Sequence, residues 1–212
     1  IFFPRSCVTC RASLTSDDQF ESLCDACFLQ IREAPYVFER LRFVDRVVSY
    51  GSYKDPLLRD LIHYFKYYGV KSLAKPLSEL QSRALEEAGV ERFYFHRDPP
   101  VYTFIPLHWF KERFRGYNQS RFLAEALGRY FSSPVLPLLR RAYMTPAQAS
   151  IESDSDRKKN SRGSFELLIS RVPQTVMLVD DVSTSGATLD EAAKLLKKAG
   201  AKTLWGVTIA RG

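Results

Sequence analysis

Residues 176–188 read VMLVDDVSTSGAT, four apolar residues running straight into two adjacent carboxylates and then into a stretch that is nearly all small or hydroxylated. An apolar run of this length, entered from Thr175, predicts a buried strand. The residues that follow, 189–200, place Leu189, Ala192, Ala193, Leu195 and Leu196 at helical spacing and stop at Gly200. Asp180 and Asp181 therefore fall at the carboxyl end of a strand, where open α/β sheets bind their ligands. Val182, Ser183, Thr184, Ser185, Gly186, Ala187 and Thr188 offer what a phosphate monoester needs: accessible N–H groups at a helix start, a glycine that lets the chain wrap closely, and hydroxyls. Carboxylates repel phosphate, so the acids should face donors instead. Vicinal sugar hydroxyls with a nearby divalent metal suit them, and the combination reads as a ribose 5-phosphate site. No Lys follows Gly186 as a P-loop requires, and G-x-G-x-x-G is absent. Simple helix capping would explain Ser183 or Thr188, but not two consecutive acids before them.

From Val101 onward the chain alternates strand and helix: VYTFIPL, NQSRFLAEALGRYF, PVLPLL, TVMLVDD, LDEAAKLLKKAG and TLWGVTIA. This order predicts an α/β fold with a parallel sheet flanked by helices. Upstream, residues 55–69 carry Leu57, Leu58, Leu61, Ile62 and Phe65 on one helical face, and residues 72–88 carry Leu73, Leu77, Leu80 and Leu85. The polar segment 145–163 has almost nothing to bury, and a connection of that length in a compact domain is expected to be a lid or binding loop, with a disordered insertion as the alternative.

All four cysteines lie in the first 27 residues, as Cys7-x2-Cys10 and Cys24-x2-Cys27 with 13 residues between the pairs. Two such knuckles suit tetrahedral Zn²⁺ in a ribbon too small to fold on burial alone, whereas disulfides would need an oxidising compartment to which nothing else points. The expected division is a four-cysteine zinc module at 1–34 and a main domain at 35–212, helical over 35–100 and with its core at 101–212. No apolar run approaches the ~20 residues that cross a bilayer, and the opening IFFPRSCVTC lacks the pattern of a signal peptide. A cytoplasmic protein is therefore expected, with a peripheral place at the inner membrane as a variant of that reading.

The formal net charge is +7. Between Pro106 and Arg141 seven basic residues stand against two acidic ones, interleaved with aromatics. Cationic surfaces with exposed rings hold single-stranded nucleic acid without reading its sequence. Trp109, Phe110 and Tyr117, in an expected loop, are the stacking candidates, with Arg115, Lys158 and Lys159 as cationic ones.

The stretch VMLVDDVSTSGAT resembles the 13-residue signature of type I phosphoribosyltransferases, which bind phosphoribosyl pyrophosphate (PRPP). Over nearly the whole chain, IPLHWFKERFRGYNQSRFLA, TPAQASIESDSDRKKNSRGSF and the cysteine pairs are similar to the ComF (ComFC) family of competence proteins. That resemblance implies a type I phosphoribosyltransferase fold with PRPP and Mg²⁺ at Asp180 to Thr188. It also implies Lys66, Arg113, Arg115, Arg157 and Asn160 near the pyrophosphate, and closure of the 145–163 loop over it. For partners it implies incoming single-stranded DNA, and a competence helicase or inner-membrane DNA channel protein, in natural transformation. Three classes stay open: a phosphoribosyltransferase whose acceptor no segment declares, a PRPP-gated DNA-handling module without turnover, and an adaptor between translocation partners.

Overall fold

The computed structural model describes residues 5–31, 36–94, 99–142 and 164–212. The anticipated lid, with Arg157, Lys158, Lys159 and Asn160, lies outside the described residues.

A six-stranded sheet organises the chain: β1 (Val37–Glu39), β2 (Arg46–Ser52), β8 (Thr203–Arg211), β6 (Thr175–Val179) and β3 (Val101–Phe104) lie side by side in that order, and β7 (Val182–Ser183) also pairs with β8. Among the described strands of this sheet, β1 alone runs antiparallel; the other pairings are parallel. The central strands are buried on both faces, which is why β6 and β8 read as continuous apolar runs. Met177 and Val179 face one core together with Val48, Tyr50, Tyr102, Trp205 and Val207. Val176 and Leu178 face a second core with Val47, Leu138, Leu189, Ala193 and Leu196. Each such buried side chain contributes about 1.5–3 kcal/mol.

The first core is covered by α2 (Pro56–Tyr67), α3 (Ala74–Glu87) and α5 (Gln119–Tyr130), and the second by α6 (Ala187–Lys198). Asp55 caps α2 by accepting from the Leu58 N–H at 2.8 Å, and Pro56 supplies a preset φ at the first turn. The expected stripes are realised: Leu58, Leu61, Ile62 and Phe65 are buried on α2, and Leu77, Leu80 and Leu85 on α3.

Three expectations are corrected. The stretch 35–100, read as helical, also supplies β1 and β2, and β2 buries five consecutive residues beside β8. The run PVLPLL is not a strand of the sheet. Val135 makes one bridge to Tyr102, after which β4 (Leu139–Arg141) pairs antiparallel with β5 (Phe165–Leu167) in a separate ribbon. Pro134 and Pro137 have no N–H to give a ladder, which limits pairing there. Residues 109–115, expected as loop, form α4 (Trp109–Arg115), which starts at a His108 cap and buries none of its own residues.

The N-terminal cysteine module ends in α1 (Asp25–Ile31) and is docked on the main domain. Phe20, Leu23, Phe28 and Ile31 join the same core as α2 and α3. Tyr50 donates its hydroxyl to the Ile31 carbonyl at 2.6 Å, and Arg11 donates to the Tyr64 hydroxyl at 2.8 Å. Among the described residues no helix is long and apolar enough to cross a membrane.

Candidate functional site

β6 delivers the two acids. The Asp180 N–H donates to the Val207 carbonyl and the Ile209 N–H to the Asp181 carbonyl, both at 2.9 Å, so the backbone stays tied to β8. β7 then resumes in the register of β6: Val179 is opposite Val207 and Val182 opposite Ala210. Asp180 accepts from the Ser120 hydroxyl at 2.8 Å and from the Asp181 N–H at 2.9 Å. Asp181 pairs with the Lys66 ammonium at 2.9 Å, both side chains being mostly buried. Burial, and then the neighbouring Asp181 charge, push the Asp180 carboxyl up to about 7, against the opposing pull of Ser120, the Asp181 N–H and Lys66.

Beyond the acids the chain turns through Thr184 and Ser185 into Gly186, whose φ of 73° is left-handed, and α6 begins. A Cβ on Gly186 would come within 2.7 Å of Leu41, so glycine is required by both conformation and space. Ser183 to Thr188 and Asp180 line one small cleft. The Ser183 hydroxyl in this lining is buried with no partner among the described residues.

The segment RGYNQS, residues 115–120, connects the cleft to α2. Gly116 ends α4 in the left-handed region, and Asn118 caps α5 while donating to the Ile105 carbonyl at 3.0 Å. Tyr117 donates its hydroxyl to the Phe65 carbonyl, and Gln119 donates to the Lys66 carbonyl at 3.4 Å. This stretch thus grips the last turn of α2, from which Lys66 reaches Asp181, while Ser120 holds Asp180. Removing the hydroxyl in Tyr117→Phe is expected to leave the Phe65 carbonyl without a buried donor and cost about 1–3 kcal/mol. Chemical denaturation measures that loss.

The structure separates the remaining candidates. Tyr117 is no stacking platform: it is 4% exposed, with its ring against Phe65 and Phe122. Arg115 is turned toward α2, donating to Gln119 at 3.2 Å and lying over the Tyr67 ring. Arg113 is exposed on α4, as are Trp109 and Phe110, at 57% and 62%. Phe114, beside them, is 80% exposed. Sequence reasoning assigned no role to Ser120, although it lies within the quoted stretch IPLHWFKERFRGYNQSRFLA, or to Arg141. The Arg141 guanidinium lies over Phe165 and donates to the Pro106 carbonyl at 3.2 Å, within electrostatic reach of Asp180.

At the other end of the chain the sulfur atoms of Cys7, Cys10, Cys24 and Cys27 all lie within 4.8 Å of one another. Cys10 and Cys24 are 3.6 Å apart, close to the ~3.8 Å edge of a tetrahedron built on 2.3 Å zinc–sulfur bonds. Burial acts to raise the Cys7 thiol, but N–H donation from Cys24, Cys10 and Thr9 outweighs it and brings the group down to about 6. Burial pushes Cys27 up. The cluster therefore favours a first thiolate and needs a cation to hold four.

Comparison with known proteins agrees with this construction. The phosphoribosyl transferase domain family matches residues 131–211, which include the acids, the glycine loop and α6. The chain is 31% identical to Competence protein F of Haemophilus influenzae over 97% of each chain. It is 31% identical to the DNA utilization protein YhgH of Shigella flexneri over 75% of this chain and 69% of that one. Competence protein ComFC of Streptococcus pneumoniae is 27% identical over 87% of this chain and 73% of its own. With its type I phosphoribosyltransferase fold and an N-terminal four-cysteine module, the chain belongs to the ComF/ComFC family of competence proteins.

Proposed function

We propose that the chain binds PRPP with Mg²⁺ at the strand-end acids and acts in natural transformation, handling incoming single-stranded DNA. One observation carries the PRPP reading: two adjacent carboxylates held by separate partners lead into a glycine–hydroxyl loop, whose cleft is lined by Asp180 and by a buried Ser183 hydroxyl with no partner among the described residues. In this reading Asp180 and Asp181 accept the ribose hydroxyls, and Ser183 to Thr188 take the 5-phosphate at the start of α6. Mg²⁺, when bound, would offset pyrophosphate charge, with Asp180 and Asp181 as the carboxylates that would hold it. Lys66 exchanges Asp181 for the pyrophosphate, an exchange for which the RGYNQS grip on α2 preserves the anchor. Where transfer follows, the protein stabilises the charge developing as pyrophosphate leaves. Calorimetric titration of the full chain with PRPP and Mg²⁺ tests the reading: saturable binding is expected, and its absence at millimolar PRPP overturns it.

The DNA reading rests on α4, whose exposed Trp109, Phe110 and Phe114 alternate with Lys111, Arg113 and Arg115, and on the names of the competence and DNA-utilization relatives. Trp109→Ala with Phe110→Ala is expected to weaken binding of an oligothymidine by about 1–3 kcal/mol per lost stack, while PRPP affinity is unchanged. Fluorescence anisotropy at fixed salt measures this. The four thiols are assigned to structural Zn²⁺, which fits a reducing compartment such as the cytoplasm.

A further inference from the structure

A cavity lined by described residues lies away from the acids. It is an open depression of about 840 Å³ between Phe38, Glu39, Arg40, Asp45, Arg46 and the Arg92 to Trp205 side of the sheet. Arg46 opens β2, and Thr203 and Trp205 open β8, opposite Thr175 and Met177 at the start of β6. Asp180 and Asp181 follow the end of β6, so the two sites occupy opposite ends of the same sheet.

Its wall is a ladder of rings and guanidiniums. Arg46 lies 4.7 Å from the Phe38 ring and 5.4 Å from that of Trp205. Arg92 lies 4.7 Å from the Trp205 ring and 5.0 Å from that of Phe93. A guanidinium held by its face keeps its N–H donors around the edge, in the plane that matches phosphate oxygens. Arg46 uses one of them on the Ala88 carbonyl at 2.9 Å, which fixes its orientation. Arg40 and Lys202 add two exposed cations to the lining. The two acids there are already engaged by cations from outside it: Glu39 with Arg211 at 2.9 Å and Asp45 with Lys197 at 2.7 Å. Four basic side chains thus face a space whose two carboxylates are each paired through one oxygen to a cation outside it, which leaves the lining with an excess of positive charge. The volume falls within the ~300–1,000 Å³ of small-molecule sites and is far more than a lone phosphate fills.

We infer that this cavity is a second anion site, taking a nucleoside polyphosphate whose phosphates lie against Arg40, Arg46, Arg92 and Lys202 and whose base lies on the exposed Phe38 side. Binding at this end does not use the acids, so it stands independently of the PRPP reading. Titration of the full chain with ADP, without added Mg²⁺, tests it. The expected result is saturable binding that weakens by roughly tenfold or more in Arg92→Gln with Lys202→Gln and is unchanged in Asp180→Asn with Asp181→Asn. Pyrophosphate, which carries the charge without a base, is expected to bind more weakly than ADP. Arg40→Gln with Lys202→Gln, both outside the ring ladder, gives the same readout if loss of Arg92 disturbs folding. No binding at millimolar ADP, affinity indifferent to these substitutions, loss in the aspartate variant instead, or pyrophosphate binding as tightly as ADP would each overturn the assignment.

Discussion

The chain carrying Asp180→Asn and Asp181→Asn is expected to bind Mg²⁺–PRPP on the order of a hundredfold more weakly than the native one, and to remain folded. Two charge-assisted hydrogen bonds of about 1.5–3 kcal/mol each are lost, which multiply to at least that factor. Retention of the fold follows from the local electrostatics. The Asp180 carboxyl is pushed up to about 7 by burial and by its neighbour, so near neutral pH the fold already tolerates an uncharged group there. An amide oxygen can still accept from Ser120. The neutral amide in place of the Asp181 carboxylate leaves Lys66 without its charged partner, but the mutual repulsion of the two acids disappears at the same time. Calorimetry of ligand binding, alongside thermal melting without ligand, reads both halves. Unchanged affinity would remove the acids from the site, while a collapse in melting temperature would mean that they serve the fold instead.

Cys24→Ser is expected to release zinc and destabilise more than the N-terminal module. An isolated ribbon would unfold alone, leaving the main transition where it was. Here Phe20, Leu23, Phe28 and Ile31 share the core of α2 and α3, and Tyr50 on β2 donates to the Ile31 carbonyl. Opening the module therefore strips an apolar face from the main domain. Loss of about 3–5 kcal/mol from this source would lower the main melting temperature on the order of 10 °C for a chain of this size. Metal analysis together with differential scanning calorimetry checks the expectation. Zinc retained at one per chain would reject ligation by all four cysteines, and an unshifted main transition would show the module to be energetically separate.

The helices α2, α3 and α6 were legible because each buries a stripe whose period survives in the sequence, as Leu58, Leu61, Ile62 and Phe65 do on α2. β6 was legible because a strand buried on both faces leaves an unbroken apolar run. By contrast, α4 has no buried face, so Trp109, Phe110 and Phe114 gave no helical stripe pointing to a core. β2 was hidden within a stretch whose neighbouring periodic helices dominated the reading. The acid pair and its glycine loop are contiguous and could be read directly. The pairing of Lys66 with Asp181 could not, since it joins residues far apart in the chain through the packing of α2 against the sheet. Tyr117 shows the same limit: its sequence neighbours are basic and aromatic, but its burial is set by Phe65 on another helix.

The unbroken register from Val179 to Val182 makes chain length, as much as residue identity, a constraint on this protein. Successive strand residues project to opposite faces, so inserting one residue between Val179 and Asp180 would turn Asp180 from Ser120 and Asp181 from Lys66 in a single stroke. Diversification between Val179 and Ser183, the last paired strand residue, is therefore closed to changes in spacing, whereas a change of length in the loop from Thr184 to Gly186 would leave the strand faces as they are.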